Sequence, residues 1–115
     1  MNIYENIKSN LKEYTTDQYN NRLFTYDEAT HYLDKFCKTV NEKFKDYDYE
    51  FDWRIEGDNL VVFDRCEYFD YEDSNFYAVD KIAKDIFGKE AYLEPENKVV
   101  MIVAGAYLKD DKSTK

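Results

Sequence analysis

At 115 residues, 43% hydrophobic and 18% aromatic, the chain has apolar surface enough for one folded core, little room for a second, and too much for a disordered acidic polymer. Twenty-five acidic against sixteen basic residues give a net charge of −9 and a pI near 4.6, which disfavours direct binding to nucleic acid or anionic lipid and favours basic protein surfaces. The start MNIYENIKSNLKEY has no basic stretch followed by an apolar run, and no run of about 18 apolar residues occurs, so neither a signal peptide nor a membrane span is expected and the chain reads as cytoplasmic.

In chain order, Ile3, Ile7, Leu11 and Tyr14 recur at helical spacing and predict a first helix over Asn2–Tyr14. Thr15–Arg22 is polar and without period, and reads as a loop. A second helix is announced by Thr25 as N-cap with Glu28 three residues later, a capping box; its stripe is Ala29, Leu33, Phe36, Val40 and Phe44, widened by Tyr32 and Cys37.

Asp46–Asp73 follows, DYDYEFDWRIEGDNLVVFDRCEYFDYED. Its eleven carboxylates against Arg54 and Arg65 carry a net −9, equal to the charge of the whole chain. Period two puts Tyr47, Tyr49, Phe51, Trp53 and Ile55 on one strand face and Asp46, Asp48, Glu50, Asp52 and Arg54 on the other; the aromatic face belongs in the core. Glu56-Gly57-Asp58-Asn59 supplies a turn, and Leu60–Phe69 returns as the second strand. A two- or four-residue loop adds Leu60, Val62, Cys66 and Tyr68 to the aromatic face and brings Arg65 opposite Glu50, whereas a three-residue loop buries Val61 and Phe63; both registers stay open.

Beyond the acidic corner Asp70–Asp73, Ser74 is the expected cap of a third helix with Phe76, Val79, Ile82, Ala83 and Ile86 inward, ending at Gly88. Glu90–Glu94 is a short strand and Lys98–Leu108 a continuous apolar one suited to a sheet interior, open to homodimer pairing if it lies at an edge. The expected architecture is a single α+β domain over residues 1–108, helices packed on an antiparallel sheet in the order ααββαββ, with a loose tail at 109–115.

No constellation carries chemistry. Asp46, Asp48 and Glu50 resemble the first ligands of an EF-hand loop, but Phe51 stands where the sharp-turn Gly is required and Gly57 where the bidentate Glu belongs. His31 is the sole imidazole, Cys37 and Cys66 form no CxxC pair and read as reduced, and carboxylate pairs are too common here to single out a hydrolase. No enzyme, no metal and no cofactor is expected. What remains is an acidic, aromatic surface.

In size, charge and the segments DYDYEFDW and EYFDYED, the chain resembles the small, acidic, tyrosine-rich inhibitors that phages and mobile elements direct against host defence nucleases, anti-CRISPR and anti-restriction proteins among them. The resemblance implies a non-enzymatic inhibitor of a basic nucleic-acid-binding site, a CRISPR effector first among candidates, acting in the bacterial cytoplasm; the chain itself is expected to be a monomer or, through Lys98–Leu108, a homodimer. Some members of the class act as DNA mimics, placing anions where arginines meet phosphate or guanine. The expected partner-binding residues are Asp46, Asp48, Glu50, Asp52, Glu56, Asp58, Asp64, Glu67, Tyr68, Asp70, Tyr71, Glu72 and Asp73. An immunity protein or antitoxin for a basic toxin, and a small acidic regulatory domain, are the alternatives.

Overall fold

The computed structural model describes residues 15–16 and 21–109. The helix expected over Asn2–Tyr14 and the tail from Asp110 onward lie outside the described residues. Within them the chain runs β1 (Thr15–Thr16), β2 (Arg22–Phe24), α1 (Tyr26–Lys43), a 3-10 turn (Lys45–Tyr47), β3 (Phe51–Glu56), β4 (Asn59–Asp64), α2 (Phe76–Phe87), β5 (Tyr92–Pro95) and β6 (Val100–Leu108). The class is α+β, two helices on one sheet.

Local chemistry accounts for α1. Thr25 is extended (φ −67°, ψ 165°) and its hydroxyl accepts from Glu28 N at 3.2 Å, while Glu28 Oε1 accepts from Thr25 N at 2.9 Å. Asp27 and Glu28 in the first turn and Lys43 in the last complement the helix dipole. Of its expected stripe, Ala29, Leu33, Phe36, Cys37, Val40 and Phe44 are buried and Tyr32 is half-buried. In α2, Val79, Ile82, Ala83 and Phe87 are buried, and Gly88 closes the helix. Asn75, not Ser74, is its N-cap, and Asp73 organises the entry: its Oδ1 accepts from Asn75 N at 2.8 Å and its carbonyl from Phe76 N at 2.9 Å.

The sheet is mixed, not antiparallel. Its order is β1-β2-β6-β4-β3, with β5 also paired to β6, and β2 runs parallel to β6 through Arg22↔Ala106, Leu23↔Tyr107 and Phe24↔Leu108. Part of the expected loop Thr15–Arg22 is therefore sheet: Thr15–Thr16 and Arg22 pair antiparallel, at lengths too short for a periodic signal. Lys109, the first residue of the expected tail, is tied in by donating to Phe24 O at 2.6 Å.

Strand β6 is central, as its apolar run requires. It holds β4 on one side and β5 and β2 on the other, so the edge pairing envisaged for a homodimer through this strand is closed. Between Ile102 and Tyr107 its register with β4 shifts, and there Gly105 takes φ +83° with the chain at Glu90–Ala91 pressed against it; a Cβ would lie 2.8 Å from Glu90 O.

The β3–β4 hairpin takes the two-residue register: Glu56 pairs with Asn59 across Gly57-Asp58, with Gly57 at φ +62°. Phe51 and Leu60, Val62 turn to the helices and are fully or nearly fully buried, with Trp53 and Ile55 half-buried beside them. The core is an aromatic chain, Phe24–Phe87–Phe36–Phe51–Phe69–Phe76, with successive ring centroids 5.1–6.1 Å apart. Each fully buried ring contributes about 1.5–3 kcal/mol over its exposed state.

Candidate partner-binding surface

The acid-aromatic alternation of Asp46–Asp73 continues past both ends of the hairpin, but the strands do not. Helix α1 ends at Lys43 with Phe44 as its C-cap, Lys45–Tyr47 forms the 3-10 turn, and Asp48 is left-handed at φ +60°, redirecting the chain into β3. Asp46 and Asp48 therefore belong to a turn, and the straight row of carboxylates expected from Asp46 to Asp52 does not form. Tyr47 leaves the core face and is 53% exposed, stacked on Tyr49 at 5.6 Å. Arg65 does come opposite Glu50, donating its N–H to Glu50 O at 2.9 Å, and that is where the ladder stops.

Asp64 is the reason it stops. Only 1% exposed, its carboxylate accepts four backbone hydrogen bonds: Oδ1 from Glu50 N at 2.8 Å and Cys66 N at 3.0 Å, Oδ2 from Tyr68 N at 2.9 Å and Phe69 N at 3.0 Å. These donors compensate the buried charge, and the ring of bonds curls the chain after β4 into a tight loop in which Glu67 sits at φ +59°. Cys66 and Tyr68, expected inside by parity, are consequently outside; Phe69 turns inward and is fully buried between Tyr49, Phe51 and Phe76. Asp64 itself is withdrawn from any contact surface. One signal was available: in the two-residue register it shares the inward parity of Leu60 and Val62, and an acid at an inward position needs dedicated donors.

A second carboxylate fixes the other side of the loop. Asp73 Oδ2 accepts from the Tyr49 hydroxyl at 2.9 Å, and Asn75 Nδ2 donates to the same hydroxyl at 3.1 Å. Burial, reinforced by Asp73, pushes the Tyr49 pKa up to about 12. Asp70 Oδ1 accepts from Glu72 N at 2.8 Å within the same corner.

The thirteen expected contact residues thus separate into groups. Asp46, Asp48, Glu50, Glu67 and Glu72 are exposed, at the end of the molecule where the turn after α1 meets the 65–73 loop, together with Tyr68 (64% exposed) and Tyr71 (46%). None of these five acids makes an ion pair among the described residues, and Lys45 and Arg65 are the cations of the two segments. Asp48, Glu50, Cys66 and Tyr68 share one open cleft with Asn41, Lys45 and Tyr49, and Glu67 lines a second with Arg54 and Arg65. Glu56 and Asp58 are exposed at the hairpin tip, about 20 Å along β3 from Glu50, and Glu56 pairs with Arg54. Asp52, Asp70 and Asp73 are half-buried and engaged with backbone: Asp52 Oδ1 accepts from Trp53 N at 2.8 Å.

The two thiols differ. Cys37 is buried in α1, and burial pushes its pKa up; Cys66 is exposed and donates to Glu50 Oε2 at 3.2 Å, a hydrogen bond that likewise raises its pKa and holds the thiol protonated. Among the described residues no three His, Cys, Asp or Glu converge as metal ligands, and no helix is long and apolar enough to cross a membrane. Compared with family models, curated proteins and solved structures, the chain matches none.

Proposed function

We propose that the protein is a non-enzymatic inhibitor that occupies a basic, nucleic-acid-binding surface of a defence nuclease, a CRISPR effector first among candidates. The observation that carries this reading is the surface where the turn after α1 meets the 65–73 loop: Asp46, Asp48, Glu50, Glu67 and Glu72 are exposed and make no ion pair among the described residues, and Tyr68 and Tyr71 are exposed in the same loop. Unneutralised carboxylates repel one another and weaken the fold slightly, so their value lies outside it, in steering and pairing with cations of a partner. Exposed tyrosine rings among them add flat faces on which a guanidinium can stack. An arginine-lined groove that normally holds a phosphate backbone and bases offers the matching chemistry.

The contact set narrows accordingly. Glu50, Glu67, Tyr68, Tyr71 and Glu72, with Asp46 and Asp48, form the contact end; Asp64 and Asp73 hold it in shape; Glu56 and Asp58 lie apart at the hairpin tip. Plasmid interference against a panel of CRISPR and restriction systems, with co-purification of the inhibited nuclease, tests the reading. Expression of the wild-type chain should protect the plasmid from at least one system, and reversing Asp46, Glu50, Glu67 and Glu72 to Lys should abolish protection. Protection by the reversed variant equal to wild type would overturn the proposal.

A further inference from the structure

We infer that Asp64 is a positioning residue, which holds the acidic end as a preformed surface for arginine-bearing partners and does not itself pair with them. The inference rests on the surface reading above and deepens it. Asp64 is the sole buried acid or base among the described residues, and no cation accompanies it. Its compensation comes from four N–H groups on two separate segments, Glu50 at the entry to β3 and Cys66, Tyr68 and Phe69 in the loop after β4. The Asp64 carbonyl adds a fifth bond, from Glu67 N at 3.0 Å.

This geometry sets the direction of each side chain at the contact end. With the N–H groups of Tyr68 and Phe69 both drawn to Oδ2, the Phe69 ring is driven into the core and the Tyr68 ring outward. Glu50 N on Oδ1 sets the Glu50 side chain beside Cys66 and Tyr68, across the cleft they share. A surface whose side chains are already placed loses less conformational freedom on binding, and holds its partner longer once bound. Two carboxylate oxygens each accepting two N–H bonds cannot be reproduced by an amide: an asparagine would turn its own NH2 group toward two of the donors.

The test compares Asp64→Asn with Asp58→Asn, which removes the same formal charge at the exposed hairpin tip, apart from the contact end, using a fluorescent nona-arginine peptide as probe. Both variants should slow association alike, since steering depends on net charge. Asp64→Asn should in addition raise the dissociation rate by about tenfold, as expected for loss of buried hydrogen bonds to a charged acceptor. Equal dissociation rates in the two variants would overturn the inference. Amide hydrogen exchange on the wild-type protein gives an independent check that survives misfolding of the variant: the Tyr68 amide should be protected although its side chain is exposed, and rapid exchange there would also overturn it. Failure of the wild-type protein to bind the peptide would remove the surface reading, and the exchange of the Glu50, Cys66, Tyr68 and Phe69 amides would then decide the role of Asp64 by itself.

Discussion

Asn41 grips Phe51 by both of its backbone groups: the side-chain amide accepts from Phe51 N at 2.7 Å and donates to Phe51 O at 3.3 Å. A helix side chain thereby takes the place of a neighbouring strand on β3, the outermost strand at that side of the sheet among the described residues. Asp52 Oδ1 occupies Trp53 N next along the same strand. On β5, Asp80 Oδ1 accepts from Leu93 N at 2.7 Å, and Pro95 has no N–H to offer. Substituting Asn41 by Ala should therefore cost about 1–3 kcal/mol, the penalty for orphaned, partly buried backbone groups, and should promote concentration-dependent self-association. Urea denaturation and analytical ultracentrifugation measure the two effects.

The unpaired acids should leave a signature in stability. Because Asp46, Asp48, Glu50, Glu67 and Glu72 repel one another, raising salt should stabilise the wild-type protein. In a variant with Asp46, Glu50, Glu67 and Glu72 changed to Gln that gain should shrink, and at low salt the variant should be the more stable by about 0.5 kcal/mol. Chemical denaturation at two ionic strengths checks both signs.

Tyr68 should discriminate between cations. A guanidinium stacks on an exposed ring for about 0.5–1 kcal/mol more than bulk charge supplies, while an ammonium is held by hydration. Nona-arginine should bind more tightly than nona-lysine by about twofold to fivefold. The preference should persist in Tyr68→Phe, shrink in Tyr68→Ala and vanish when Tyr71→Ala is added, with the salt dependence unchanged in all three. Titration calorimetry with the two peptides reads it.

Tyr49 links stability to alkaline pH. Its folded pKa, raised to about 12 from an ordinary 10.0, means the unfolded chain loses that proton first. The stabilisation is whole below pH 10 and is lost as pH rises through 12. Replacing Tyr49 by Phe should flatten the decline, and Asp73→Asn should bring the Tyr49 titration to lower pH, because the carboxylate that opposes its ionisation is gone. Absorbance titration of the tyrosinates and denaturation between pH 9 and 12 follow the two outcomes.

What the sequence determined by itself was whatever rests on neighbours a few residues apart. The Thr25–Glu28 capping box and the stripe from Ala29 to Phe44 form α1 within the helix's own length, Gly88 ends α2, and the uninterrupted apolar run of β6 demanded an interior position. The hairpin was legible as two registers, and its Gly57-Asp58 turn selected one. Tertiary structure alone decided where the hairpin ends, since acids and aromatics continue to alternate from Asp46 to Asp73 whether or not a strand is there. The ladder stops where the buried Asp64 carboxylate captures backbone N–H groups that a longer strand would have given to its partner. Strands β1 and β2 were illegible for a related reason: two or three residues carry no period, and parallel pairing to the far end of β6 places β2 in the sheet. The eleven acids of the segment look alike in sequence, and only the fold separates those that hold its shape from those left free to meet a partner, because desolvation and the donors each one finds are set by contacts distant along the chain.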